Sequence, residues 1–357
     1  MTDASLAFLK QLLDTPGPSG FETAPARIWR EEAAAFADAT AVDVNGNSTA
    51  TLNPEGSPHV MLVGHIDEIG LMITHVDEEG FLYFKGIGGW DAQVLVAQRV
   101  RILTRAGDVL GVIGKKPIHL LKPDEKEKAT KLTDLWIDIG ARDRAAAQER
   151  GVRIGDAAVL DARLVELGSG LIASRSVDNR IGAFVVLEAL RLLAEGERPG
   201  ARVTAAATTQ EEIGHHGSGA GALAFGLEPQ VALVVDVTFA TDSPGMEKRE
   251  LGEHKLGGGP VLARGSASNP RVFERIAGVA EAEGIPFTIQ AQPGNSFTDA
   301  DHIYFSRAGV ATGLISIPNR YMHSPNELVA LEDLDAAARL IAAFCRSIEA
   351  DPDFIPG

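Results

Sequence analysis

Two adjacent carboxylates, Glu211 and Glu212, stand between the apolar run VTAAAT and the turn IGHHG. A solvated turn past a strand end is one reading of such a pair. The other gives one carboxylate to a metal ion and the second to a moving proton. Residues of matching type recur at comparable places: His65 and Asp67 after HVMLVG, Asp178 before NRIGAFVVLEAL, Asp236 after VALVV, and His323 in PNRYMHSPNE after GLISI. His65, Asp178, Glu212, Asp236 and His323 make a set suited to two divalent cations. One carboxylate bridges, and each cation keeps its own imidazole and carboxylate. Four positive charges then face three negative ones, leaving an electrophilic centre that can lower the pKa of a shared water and clamp an oxyanion. Peptide hydrolysis needs both.

A base must still accept the water's proton, and Glu211 is placed for it. If both glutamates bound metal, no base would remain; if neither did, two charges would sit unpartnered at a strand end. Asp67 lies two residues from His65, so in an extended segment both side chains project to one face. There its carboxylate can accept the second ring N–H of His65 and fix the tautomer.

Taken singly, each residue has a plain structural reading. Asp178 could cap its helix, and His323 could be a loop histidine; the joint occurrence carries the metal site. His59, His75, His119, His254 and His302 are read as structural. His215 and His216 lie near enough to Glu211 to line a pocket without ligating. GGGP at 257–260 is followed by no Lys-Ser/Thr pair, which excludes a phosphate-cradling loop. The only cysteine, Cys345, falls in the apolar pattern LIAAFCRSI and reads as a buried thiol, so disulfides within the chain are excluded.

The elements that must position these residues alternate. Leu6, Phe8, Leu9, Leu12 and Leu13 space an amphipathic helix that stops at TPGPSGFE. HVMLVGHID reads as a buried strand. From 71 to 165 short β-type runs follow one another between Gly and charged turns, the texture of a small inserted all-β domain. Beyond it, the runs RVTAAATT, VALVVDV and GVATGLISI read as core strands. VDNRIGAFVVLEALRLLAE, FERIAGVAEAEG and LEDLDAAARLIAAFCRSIEA read as helices. The expected fold is α/β: a mostly parallel sheet with helices on both faces, formed by 1–70 and 166–357, with ligands gathering beyond the carboxyl ends of the strands. There is no internal repeat and no low-complexity tract.

With 357 residues, 45% hydrophobic, the chain can bury a large core. A formal charge of −16 repels phosphate backbones and anionic lipid, so neither nucleic acid nor membrane is an expected partner. The N-terminus lacks a basic n-region and an apolar h-region, and no run of about 18 apolar residues occurs. A cytoplasmic protein is expected.

GHIDEIG, SVDNRIGAF, TTQEEIGHHG, DVTFATDSPG and RYMHSPNE stand in the order and spacing of the M42 metallo-aminopeptidases, the tetrahedral (TET) and glutamyl aminopeptidase group; KPIHLL and LWIDIGA are similar too. The resemblance implies a phosphorylase/hydrolase-like α/β/α catalytic domain and an inserted PDZ-like or barrel domain used in subunit contacts. It implies two divalent cations, zinc or cobalt foremost, with manganese or nickel admitted by the mixed N/O ligands. His65 and Asp236 would hold one, Glu212 and His323 the other, with Asp178 bridging. A bridging hydroxide would be the nucleophile, Glu211 the general base, and Asp67 the partner of His65. The implied assembly is a homo-oligomer, a hollow tetrahedral dodecamer that trims short peptides from their N-termini. Asn179, His215 and His216 depart from the group's usual residues and bear on substrate preference. The alternatives are a deacylase or an endoglucanase-type glycosidase on the same scaffold, or a non-catalytic assembly protein.

Overall fold

The computed structural model describes residues 1–214 and 218–356. Its main sheet has eight strands in the order Ala39–Val42, Ser48–Leu52, Arg202–Thr208, His59–His65, Val231–Phe239, Ala311–Asn319, Val261–Gly265 and Thr288–Gln292. From Arg202–Thr208 through Ala311–Asn319 the neighbours are parallel. These central strands are near-continuous apolar runs because both of their faces are covered. Along His59–His65, Val60 and Leu62 join one hydrophobic cluster, while Met61 and Val63 join another on the opposite face, the period of two that a strand imposes. The first cluster packs beneath the helices Asp3–Asp14, Val177–Glu195 and Leu331–Ser347, and the second beneath Gly219–Leu227 and Ala300–Tyr304. Cys345 is fully buried in the first, and burial pushes its thiol up to about 12.

The expected parallel order gives way toward the edges. Ser48–Leu52 runs antiparallel to both of its neighbours, and Val261–Gly265 is antiparallel to Ala311–Asn319. At the first of these edges the short turn DVNGN permits a hairpin: Asp43 accepts the backbone N–H groups of Asn45 and Asn47 and so closes the turn with its own side chain.

The helix Val177–Glu195 crosses the sheet unusually closely. A Cβ on Gly64 would lie 2.3 Å from the Gly182 carbonyl carbon, and one on Gly182 would lie 2.7 Å from the Val235 carbonyl oxygen. Only glycine allows this approach, and it brings the start of the helix down onto the ends of two central strands.

Six further strands, Gly70–Val76, Leu82–Ile87, Trp136–Asp138, Gly107–Gly114, Arg99–Thr104 and Ala157–Leu160, close into a barrel. Its core, including Leu71, Ile73, Leu82, Val100, Ile102 and Ile137, is separate from those of the main sheet. The chain enters the barrel immediately beyond His65. It returns through a three-stranded sheet of Val165–Gly168, Leu171–Ser174 and Glu327–Ala330. Among the described residues no helix is long and apolar enough to cross a membrane.

Candidate functional site

Register aligns the first residues of the site. His65 ends its strand opposite Thr208, while Val60 to Val63 pair with Val231 to Val234 on the other side. Continuing that register sets Asp236 level with His65. Asp236 does not end its strand, as the sequence led us to expect: pairing with Ala311–Asn319 carries that strand on to Phe239. The gap left beside Val237–Phe239 opens the crevice. Glu211 and Glu212 lie just past the strand Arg202–Thr208, and His323 lies in the loop after Asn319. Asp178 sits at the start of Val177–Glu195, where its φ/ψ of −78° and 108° are not helical, so its side chain turns into the crevice.

All six side chains converge. The Asp178 carboxylate stands between two imidazoles, with Oδ1 3.3 Å from His65 Nε2 and Oδ2 3.4 Å from His323 Nε2. Glu212 Oε2 is 3.3 Å from His323 Nε2. Asp236 Oδ1 and Glu211 Oε2 lie 4.0 Å and 3.7 Å from His65 Nε2. His65, Asp178 and Glu212 each offer a ligand atom within 4.8 Å of the others, a potential metal-binding cluster.

Electrostatics favour cations here. Burial, then the charges of Asp236, Asp299 and Glu212 working against His65, push Glu211 up to about 10. Burial and the charge of Asp178 raise Glu212 to about 7, and burial also holds Asp236 well above the carboxylate range. Burial opposes protonation of His323, yet Asp178 and Glu212 outweigh it and hold the ring at about 11; the carboxylates likewise hold His65 well above its usual value. Asp178 is kept below the usual range, its burial outweighed by the two imidazoles. Without cations, the cluster thus binds protons to offset its own repulsion. Glu212 Oε1 is buried with no hydrogen-bond partner among the described residues. Mixed imidazole and carboxylate donors with unsatisfied lone pairs fit divalent cations.

The surrounding groups hold these donors in place. His323 Nδ1 lies 2.9 Å from the Gly89 carbonyl oxygen; an N–H donated there leaves Nε2 free to ligate. Gly89 belongs to a loop of the barrel, so the inserted strands take part in the site. Asp67 is fully buried with Oδ1 3.2 Å from His65 Nδ1, although the ring N–H is off the line of a formed hydrogen bond. Asp67 also accepts the backbone N–H groups of Glu211 at 3.2 Å and Glu212 at 3.1 Å, and the Ser19 hydroxyl. One carboxylate therefore ties the histidine to both glutamates.

Several contributors escaped sequence reasoning. Glu327, almost fully buried, accepts the backbone N–H of Asp178 at 2.9 Å and that of His323 at 2.7 Å, clamping two cluster residues from beneath. Burial, followed by the charge of Asp178, holds its carboxyl well above the usual range. Glu68 is buried between Arg175 at 3.0 Å and Arg180 at 2.8 Å, and Arg180 Nε donates to the Ile66 carbonyl at 3.0 Å. This fixes the turn after His65. Asp299 accepts the Thr208 hydroxyl at 2.6 Å and fastens the strand end before the glutamates. Glu68, Arg180 and Glu327 all occur inside the motifs that flagged the site.

The other histidines divide. His59 Nδ1 and Nε2 lie 3.1 Å and 2.9 Å from the Leu227 carbonyl oxygen and the Thr204 hydroxyl; burial lowers the ring to about 4. His254 sits between Thr288 and the Leu251 carbonyl. His75 stacks loosely on Tyr83 in the barrel, and His119 is exposed. His302, read as structural, instead lines the cavity beside the cluster, its Nε2 3.0 Å from the Gly214 carbonyl. The short helix Ala300–Tyr304 that carries it packs there through contacts distant in sequence. Asn179 is fully buried, with its amide donating to the Val235 carbonyl and accepting from Gly182 N–H, so it has no direct contact with a substrate cavity. His215 and His216 lie outside the described residues.

Residues 46–340 match the family model described as M42 glutamyl aminopeptidase. The chain is 34% identical over 351 residues to a lysyl aminopeptidase of Pyrococcus furiosus, covering 98% of each. Its fold is similar to the crystal structure of a TET aminopeptidase from a marine sediment thaumarchaeote, with a TM-score of 0.92, 36% identity and 97% of each chain covered. It is also similar to the TET1 peptidase of Pyrococcus horikoshii, which can assemble into a tetrahedron or a large octahedral shell. There the TM-score is 0.85 and the identity 33%, over 96% of this chain and all of that one. The chain is a hydrolase and belongs to the M42 family of aminopeptidases.

Proposed function

We propose that the chain is a two-cation aminopeptidase that removes N-terminal residues from short peptides. The observation that carries this reading is the Asp178 carboxylate reaching two imidazoles, one through each oxygen, with a glutamate beside each imidazole. His65 and Asp236 would hold one divalent cation, Glu212 and His323 the other, and Asp178 would be shared; zinc or cobalt suits these donors, as do manganese and nickel. When bound, the pair supplies Lewis acidity, which lowers the pKa of water and offsets charge growing on the scissile carbonyl oxygen.

Glu211 takes a proton from the attacking water and delivers it to the departing amine nitrogen. Its position follows from Asp67, which holds the backbone on which both glutamates are mounted. Glu327 keeps Asp178 and His323 at their spacing. Glu327→Gln would turn one acceptor into an N–H donor facing a backbone N–H, and we expect cation affinity to fall roughly 10- to 100-fold. Competition against a chromophoric chelator reads this directly, and unchanged affinity would contradict the clamp.

A glycosidase would need carboxylates roughly 5 to 9.5 Å apart flanking a sugar and no imidazoles; two imidazoles, buried His65 and half-buried His323, aimed at one carboxylate favour the peptidase. We read 1–70 and 166–357 as the catalytic domain and 71–165 as the inserted unit that makes subunit contacts. Leu110, Val112, Ile118 and Leu120 are exposed apolar side chains on that unit, which supports a homo-oligomer; the P. horikoshii relative supports a tetrahedral form.

The direct test is release of amino acids from short peptides, unblocked and N-acetylated, before and after chelation. Cleavage of the unblocked peptides alone, lost with chelator and restored by zinc or cobalt, is expected. Equal cleavage of acetylated peptides, or cleavage of glycosidic substrates only, would overturn the reading. The relatives' names point to opposite side-chain charges, lysyl and glutamyl, so preference has to come from this chain's own cavity.

A further inference from the structure

Beside the carboxylate cluster lies a cavity of about 640 Å³, large enough for any side chain. Beyond the cluster, its lining contains one carboxylate, Asp301, and among the described residues no lysine or arginine. We propose that this cavity receives the N-terminal side chain of the peptide and selects a cationic one, lysine or arginine, with Asp301 as its counter-charge. The proposal rests on the aminopeptidase reading.

Asp301 is held by neutral donors. Oδ1 accepts the Ser296 N–H at 3.0 Å and the Ser296 hydroxyl at 2.8 Å, while Oδ2 accepts the Phe297 N–H at 2.9 Å. A carboxylate has about four acceptor positions, so one remains on Oδ2, and no cationic side chain of the described residues pairs with it. Its orientation is fixed, and among the described residues no lysine or arginine of the cavity lining offsets its charge. The remaining polar wall among the described residues is His302, whose Nε2 lies 3.0 Å from the Gly214 carbonyl oxygen, together with uncharged hydroxyl and amide side chains. Thr238 donates to Gln290 Oε1 at 2.9 Å, and Gln292 Nε2 donates to the Asn295 carbonyl at 2.6 Å, leaving Gln292 Oε1 as a further acceptor. Phe239, Leu251 and Met322 supply apolar wall against which the methylene stem of a long cationic side chain can lie. An acidic side chain would find like charge at Asp301 and, among the described residues of the lining, no lysine or arginine to replace its hydration.

The experiment uses the full-length protein loaded with zinc or cobalt and fluorogenic amides of lysine, arginine, leucine and glutamate. We expect kcat/KM for the lysine and arginine amides to exceed that for glutamate on the order of 10²-fold, since like-charge juxtaposition is costly. Asp301→Asn should lower the lysine and arginine values about tenfold, mainly through KM, with the leucine amide losing no more than about threefold. Because Asp301 also holds the Ser296–Phe297 turn, Gln290→Glu serves as a second variant. It adds a carboxylate across the cavity without touching that turn, and should widen the lysine-over-leucine ratio. Glutamate cleaved as fast as lysine, or Asp301→Asn lowering lysine and leucine equally, would overturn this proposal while leaving the aminopeptidase standing. No turnover of any amide would overturn the aminopeptidase and the preference together.

Discussion

Glu211→Gln is expected to bind cations like the parent protein and to lose roughly 10²- to 10⁴-fold in kcat, the range for removing a general base. The substitution is isosteric, and the backbone N–H that anchors residue 211 to Asp67 is untouched, so positioning survives while the acceptor for the water's proton does not. Burial, then the neighbouring carboxylates, places the Glu211 pKa at about 10 in the cation-free cluster. At neutral pH the residue is then protonated and cannot act as a base; added positive charge is what frees it. Chelation thus disables the base as well as removing Lewis acidity. Measured kcat and metal content of the variant, side by side, separate proton transfer from ligation. Parental kcat, or loss of metal, would reverse the roles given to Glu211 and Glu212.

A second large effect, on cation binding itself, is expected from Asp178→Asn. Each carboxylate oxygen faces its own imidazole nitrogen, at 3.3 Å and 3.4 Å. An amide keeps one oxygen and turns an NH₂ toward the other imidazole, so it cannot serve both sides of the cluster. Metal affinity should fall at least about 10²-fold, beyond the effect of a supporting residue, with peptide hydrolysis falling at least as far. The bond from the residue 178 N–H to Glu327 is retained, so cooperative unfolding of the chelated variant should persist. A variant that retained two cations tightly would refute the bridging position.

Much of this site was legible in the sequence because parallel strands covered on both faces are apolar throughout. Where HVMLVG or VALVV meets a histidine or aspartate, the change of residue type marks the crevice. What lay hidden has a common cause. Glu327 and Glu68 are buried carboxylates held by backbone N–H groups and arginines, and a letter E looks the same when it sits in solvent. The apolar run HVMLVG located the strand His59–His65, but only pairing to Ala311–Asn319 could show that Asp236 stands mid-strand. The reach of the barrel loop to His323 and the placement of Asp301 and His302 on the cavity wall depend on packing between segments far apart in the chain.

The most direct test of a two-cation site is to strip the protein with chelator and titrate zinc or cobalt back while following both bound metal and peptide hydrolysis. Activity should be absent at the start and reach its plateau with two equivalents bound per chain. Full hydrolysis by the stripped protein, or a plateau at one equivalent with no further binding, would contradict it.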